Sequence, residues 1–210
     1  MITDSAICVV FLWTSFVHGA RPFATDDAGI VAQGIHELEF GVDFWSEDAS
    51  LGFNFKHGLT ARMDIGVGFG HTLIPEEDAG FGNAELGVKF GIIPDLIAFS
   101  LSGSFGHQEY VLNGIVTRSF GPAEIDVNLG YEAEFAGDED GTVVYSLAAM
   151  LSGESYAFGV EGAGDKEGLG YWLIGGRYFF IEGFAVDAGI AGGFEDDEEM
   201  TATAGIHFEF

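Results

Sequence analysis

The sequence predicts an all-β protein, a transmembrane up-and-down antiparallel β-barrel of about twelve strands. Apolar and polar residues alternate with a period of two over most of the chain after Gly34, as in strands with two different faces. The connections are alternately short and nearly uncharged, then longer or acidic, as expected if each kind lies on one side of a membrane. The chain has 33 Gly and 4 Pro, which favours strands and tight turns over long helices.

The composition excludes several classes of protein. Of the 210 residues, 34 are Asp or Glu and 7 are Lys or Arg, so the formal net charge is -27. Nucleic acid is excluded as a partner, because phosphate contacts need a basic surface. Disorder is excluded by the 21 Phe, since disordered acidic chains are poor in aromatic residues. The single cysteine, Cys8, excludes a zinc ribbon and a disulfide scaffold, and the sequence indicates no cofactor.

The first twenty residues resemble a secretory signal peptide. An apolar run covers 6–17, too short for a membrane-spanning helix, and the small residues Gly19 and Ala20 follow it. The run lacks a preceding Lys or Arg, which suggests that the true start lies upstream. A lipoprotein is rejected, because Ile7 precedes Cys8 where a small residue is needed. The alternative to a signal peptide at 1–20 is a buried first strand or helix. The predicted organisation is therefore a signal peptide at 1–20, a periplasmic N-terminal segment or partial plug at 21–33, and the barrel at 34–210.

The strands are assigned from the alternation. In the first, Leu38 and Phe40 lie on one face and Glu37 and Glu39 on the other. Two segments, 114–120 and 169–180, have an ambiguous phase because apolar residues occupy both faces. The predicted strands are 35–45, 50–57, 61–71, 82–90, 96–106, 114–120, 123–135, 142–151, 155–163, 169–180, 184–194 and 200–210.

The apolar faces are predicted to contact lipid and the polar faces to line the interior. Aromatic residues such as Trp45 and Tyr131 lie near strand ends, where the aromatic girdles of outer-membrane barrels are found. The alternative is a lipocalin-like barrel or secreted sandwich, with the apolar faces inside. The short connections are 58–60, 121–122, 152–154 and 182–183; the acidic ones are 46–48, 75–78, 137–141, 164–167 and 195–199.

The chain ends at Phe210 on an alternating segment. A terminal aromatic residue resembles the signal by which the outer-membrane insertion machinery recognises its substrates. We therefore expect the bacterial outer membrane as the location, with the lipid bilayer and lipopolysaccharide as surroundings and a small-molecule solute as a further partner.

Several short motifs resemble one outer-membrane family. They are the opening Arg-Pro-Phe-Ala-Thr-Asp-Asp-Ala-Gly at 21–29, Gly-Leu-Thr at 58–60, Gly-Phe-Gly-Asn at 80–83 before Glu-Leu-Gly-Val-Lys at 85–89, and Asn-Leu-Gly-Tyr at 128–131. The sequence is similar to the family named after the meta-pathway of phenol degradation. The resemblance implies a channel for passive uptake of small solutes, aromatic compounds among them.

Twelve strands tilted by about 45° and spaced by about 4.8 Å would close at a backbone radius of roughly 13 Å. Acids outnumber bases on the predicted inner face, so an open pore is expected to favour cations. If residues 21–33 fold into the barrel mouth, Asp26 and Asp27 are expected to meet interior arginines. The predicted pore-lining residues are Lys56, Arg62, Asp64, Glu85, Lys89, Arg118, Asp126, Asn128, Glu161, Arg177 and Asp187.

The sequence leaves two alternative functions open. One is a closed structural barrel, whose acidic outer connections are solvated, bind Ca²⁺ or Mg²⁺, or bind a basic protein. The other is an outer-membrane lipid hydrolase, which needs a Ser/His pair near the outer rim. Ser100, Ser102 and Ser104 precede His107, but no nucleophile motif surrounds them and His107 is predicted to point away. The protein is therefore not expected to be an enzyme.

Overall fold

The computed structural model describes residues 21–46, 48–74, 79–105, 109–135, 141–194 and 200–210. They form one antiparallel sheet of twelve long strands and one two-residue strand, and the long strands close into a barrel. This confirms the predicted fold class. Among these residues, no helix is long and apolar enough to cross a bilayer. The predicted signal peptide lies outside the described residues.

The strands follow one another in order around the barrel wall. The short strand β4 pairs only with β3, while β3 also pairs with β5. Their bounds are β1 His36–Trp45, β2 Asp48–Thr60, β3 Met63–Ile74, β4 Gly80–Phe81, β5 Glu85–Ile93, β6 Ile97–Ser104, β7 Glu109–Phe120, β8 Ala123–Glu134, β9 Thr142–Ser152, β10 Tyr156–Asp165, β11 Gly168–Ile181, β12 Phe184–Gly193 and β13 Thr201–Glu209.

The barrel closes between its first and last strands. β1 pairs with β13 in a register that places Phe40 opposite Ile206. The backbone N–H of His36 donates to the carbonyl of Phe210 at 2.8 Å, and the N–H of Phe210 donates back at 3.0 Å. Closure leaves the long strands without a free edge, so their backbone groups can pair within the wall, as the hydrocarbon core of a membrane requires.

The two ends of the barrel differ. We call one the turn end: its connections lie between β2 and β3, β5 and β6, β7 and β8, β9 and β10, and β11 and β12, and the chain leaves β13 there. The opposite, loop end carries the acidic connections, of which 75–78, 136–140 and 195–199 lie outside the described residues. The strands resemble the predicted ones closely. The largest difference is at β7, which was predicted over 114–120 but begins at Glu109. The additional residues pair with β6 and β8.

The outside of the wall is apolar and the inside polar. On β8, Leu129 is 62% exposed, while the neighbouring Asn128 is 6% exposed. Phe40 on β1 is likewise exposed, and Glu39 beside it is buried. A water-soluble barrel or sandwich would have the reverse arrangement, because a soluble protein does not expose an apolar surface this extensive around a polar interior. The soluble alternative is therefore wrong, and the fold is that of a membrane-spanning barrel.

Candidate functional site in the barrel interior

The N-terminal segment, residues 21–33, lies inside the barrel. Several of its backbone N–H groups donate to side chains of the wall, and only Gln33, at its end, forms an isolated bridge with Gly58 of β2 among the described residues. Thr25 donates to Glu161 at 2.6 Å and Ala28 to Thr117 at 2.8 Å. Val31 donates to Asp64 at 3.0 Å. Because these acceptors lie on β10, β7 and β3, the segment crosses the interior from one side of the wall to another.

Asn128 holds the middle of this segment by two hydrogen bonds. Its side-chain oxygen accepts from the N–H of Asp26 at 2.9 Å, and its amide nitrogen donates to the carbonyl of the same residue at 2.7 Å. Asn113 donates to the same Asn128 oxygen at 3.0 Å, which fixes the orientation of the amide. An amide side chain satisfies a peptide group in this way without adding charge.

One buried ion pair joins the segment to β5. The Nζ of Lys89 lies 3.0 Å from Oδ1 of Asp26 and donates to the carbonyl of Asp27 at 3.2 Å. Asp26 is 1% exposed and Lys89 is 3% exposed. The expectation that Asp26 and Asp27 would meet arginines is wrong. The interior arginine Arg177 instead donates to Glu39 and to the carbonyl of Arg21, away from the acidic pair.

Arg21 begins the segment and lies among acids of the wall. Its Nε is 3.4 Å from Oδ1 of Asp187, and its Nη2 is 3.6 Å from Oδ1 of Asp43. Nη2 also donates to the hydroxyl of Thr203 and, at 3.2 Å, to the carbonyl of Ala204. The guanidinium is therefore held by polar groups of β1, β12 and β13.

Glycines of the wall make room for the segment. A Cβ at Gly41 would overlap the Arg21 guanidinium, and one at Gly58 would overlap the carbonyl of Ala32. A Cβ at Gly175 would lie 2.6 Å from Cγ of Pro22. At these three positions the absence of a side chain provides space for the internal chain.

Two small apolar clusters complete the packing. Phe23 packs with Leu173 and Ala191, and Ala28 packs with Ala98 and Ile115. All six residues are 7% exposed or less. The interior is therefore dry at these contacts and polar elsewhere.

The structure places most of the predicted site residues inside the barrel. Asp126 accepts a hydrogen bond from Thr117, and Lys56 lies 3.8 Å from Glu37. The interior set is Lys56, Asp64, Glu85, Lys89, Asp126, Asn128, Glu161 and Asp187, all buried, with Arg177 partly buried.

Two predicted interior cations lie elsewhere. Arg62 was predicted within a strand over 61–71, but β3 begins only at Met63, so Arg62 is exposed in the tight turn between β2 and β3. Arg118 is on the exposed face of β7, where its guanidinium lies 5.8 Å from the centre of the Phe120 ring. The prediction was wrong there because apolar residues occupy both faces of β7. It is Ile115 and Thr117 that point inward, against the N-terminal segment.

The loop-end half of the interior is acidic. Glu85 begins β5 there, and it interacts electrostatically with Glu109 on β7 and Glu132 on β8. Of the seven Lys and Arg of the chain, Arg62 and Arg118 are exposed and Lys166 is exposed in a loop-end connection. The remaining four, Arg21, Lys56, Lys89 and Arg177, each pair with a carboxylate of the wall or the segment. No Lys or Arg is left to neutralise the three glutamates.

Three residues of these contacts were not predicted as site residues: Arg21 in the segment, and Thr117 and Thr203 in the wall. Each is an ordinary residue until its partner across the interior is known. Of the suggested hydrolase residues, Ser100 and Ser102 are buried, while His107 lies outside the described residues. In the described part of the chain, no three His, Cys, Asp or Glu side chains are arranged to hold a metal ion.

Comparisons with known proteins identify the type of barrel. No family profile and no curated protein sequence matches the chain. Solved structures do match. A KdgM porin superposes with a TM-score of 0.64 at 8% identity, over 83% of this chain and 99% of that one. An outer membrane channel from Pseudomonas putida F1 has a TM-score of 0.55 at 8% identity, over 88% and 97%.

The fold is that of an outer-membrane barrel. The outer membrane phospholipase A of Escherichia coli also superposes, with a TM-score of 0.53 at 9% identity over 95% of this chain and 96% of that one. Channels and an enzyme thus share this architecture, so the fold alone does not define the function.

Proposed function

We propose that the protein is an outer-membrane channel for passive movement of small solutes, that its interior favours cations, and that the N-terminal segment narrows it. The acidic loop-end half of the interior carries this proposal. A solute entering from that side meets Glu85, Glu109 and Glu132 with no interior Lys or Arg beside them. Rings of carboxylates select cations in pores, because the local potential concentrates them and repels anions.

The acidic interior also bears on the solute. One KdgM structure is a complex with disordered oligogalacturonate, an acidic sugar chain. The same solute would be repelled by the three glutamates of this barrel. Small cations, and neutral molecules such as the aromatic compounds suggested by the family resemblance, are compatible with it.

A second candidate is a closed structural barrel. It is favoured by the N-terminal segment, which bonds to opposite parts of the wall through Glu161, Thr117 and Asp64. If the segment never leaves, the interior would conduct few ions. The function would then lie in the acidic connections, which would bind divalent cations or a basic partner protein.

Planar-bilayer recordings under a KCl gradient test the channel proposal. We expect a reversal potential that reports a K⁺ to Cl⁻ permeability ratio above one. Glu132→Gln should lower that ratio, because it removes one interior carboxylate. Glu154→Gln, on an exposed residue of a turn-end connection, is the matched control and should leave it unchanged. A ratio below one in the parent protein would overturn the proposal, and absence of any conductance would favour the closed barrel.

A further inference from the structure

The surroundings of Arg21 have the features of a built guanidinium site. Two carboxylates, Asp187 and Asp43, lie within 3.6 Å of its nitrogens, while the Thr203 hydroxyl and the Ala204 carbonyl accept hydrogen bonds. A guanidinium presents several donors in a fixed fork, and here Nε and Nη2 contact different acceptors, whereas an ammonium is a single compact charge.

The shape of the site fits the same group. A Cβ at Gly41 would overlap the guanidinium, and one at Gly205 would lie 2.6 Å from Nε. The guanidinium therefore packs against the backbone of Gly41 and Gly205, which are paired on β1 and β13. We call these two residues the glycine floor. Any larger residue at either position would fill the space.

The acids of the site depend on this cation. The Asp187 side chain is fully buried, and its Oδ2 has no hydrogen-bond partner in the described structure. The other cation nearby, Arg177, is 3.9 Å from Asp187 and 3.1 Å from Glu39, so it is shared. Without Arg21, Asp187 would be a desolvated carboxylate with one distant partner, which strongly favours binding of another cation.

We propose that this pocket binds the guanidinium group of a solute passing through the barrel. The Arg21 side chain fills the pocket in this structure and competes with the solute for it. The inference rests on the proposed channel function. The Arg21 side chain is 12% exposed, so one side of the pocket is open to the interior. When the side chain or the whole segment withdraws, the acids and the glycine floor remain in the rigid wall. Guanidinium-bearing solutes are thereby selected over alkylammonium solutes of equal charge.

Chemical rescue of Arg21→Ala tests the pocket. The purified full-length variant is titrated with methylguanidinium or methylammonium at constant ionic strength, and thermal unfolding in detergent is followed by tryptophan fluorescence. We expect methylguanidinium to bind about tenfold more tightly than methylammonium and to raise the unfolding midpoint towards that of the parent. The parent protein should show little response, because Arg21 fills the pocket. If Arg21→Ala refolds poorly, the refolding yield with each compound reports the same preference.

Adding Asp187→Asn to Arg21→Ala should abolish the preference. Equal binding of the two compounds to Arg21→Ala, or a preference that survives Asp187→Asn, would overturn the pocket and leave Arg21 a purely structural contact. These results are independent of the channel proposal. A protein that favours chloride contradicts the channel whatever its response to methylguanidinium, whereas a cation-favouring protein without the preference contradicts only the pocket.

Discussion

Replacing Lys89 by methionine should release the N-terminal segment from the wall. Lys89 is the only group that donates to the Asp26 carboxylate, since Oδ1 bonds to it and Oδ2 has no partner among the described residues. Asp26 is 1% exposed, so Lys89→Met would leave a buried charge uncompensated. Removing one partner of a buried ion pair costs about 3–5 kcal/mol.

The lower end of that range applies, because Lys56 remains close enough to act on Asp26 electrostatically. The segment can avoid the cost by leaving the interior, which exposes Asp26 to water. A change of about 3 kcal/mol corresponds to roughly a 100-fold increase in the ratio of released to docked segment. The barrel wall itself should stay folded, since strand pairing does not involve Asp26.

A cysteine at position 28 reports the release. Ala28 is 0% exposed inside the barrel, and Cys8 is the only natural cysteine, so a chain refolded without residues 1–20 carries a single thiol after Ala28→Cys. In the background of Lys89→Met we expect maleimide to label this thiol about 100-fold faster than in the parent, if opening is fast relative to labelling. Lys166→Met, on an exposed lysine, is the matched control.

The double variant Asp26→Leu/Lys89→Met distinguishes the ion pair from simple loss of a side chain. Replacing both partners by apolar groups of similar size is often nearly neutral, so its labelling should return close to that of the parent. The reasoning is refuted if Lys89→Met labels no faster than Lys166→Met.

Three further predictions concern the interior, the lipid face and Phe210. Gly41→Ala should displace Arg21 and raise the single-channel conductance. Gly114→Ala is the control, because its Cβ would lie at an ordinary contact distance of 3.7 Å from the Leu129 carbonyl oxygen. Equal conductance of the two variants would contradict the glycine floor. Leu129→Arg should destabilise the barrel in bilayers by about 2–4 kcal/mol, measured by denaturant unfolding, and an unchanged midpoint would argue against lipid contact at this position. Phe210→Ala should slow insertion into liposomes carrying the purified insertion machinery but not into bare detergent; equal slowing in both would place the effect in folding alone.

The wall of the barrel could be predicted from the sequence because a strand face is a local property. Alternation alone placed Leu129 outside and Asn128 inside. It failed where both faces carry apolar residues, as at Arg118 on β7, since the inward position of Ile115 depends on Ala28 from a distant part of the chain.

The contents of the interior could not be predicted in the same way. Residues 21–33 have no period, so no local signal says which wall residues they contact. Asp26 and its partner Lys89 are 63 positions apart in the sequence, and Arg21 and Asp187 are 166 positions apart. The glycines of the inner face were the clearest indication in the sequence that the interior holds a chain segment. Glycine is also common where strands curve, so the sequence alone could not show that Gly41 makes room for Arg21.

Single-channel conductance of the barrel with and without residues 21–33 tests the central claim most directly. That claim is that the N-terminal segment occupies an otherwise water-filled acidic interior. Both proteins would be refolded from denaturant and recorded in the same bilayers. We predict that removing 21–33 produces a larger unitary conductance that still favours K⁺ over Cl⁻. A folded barrel whose unitary conductance is unchanged by the deletion would contradict the account.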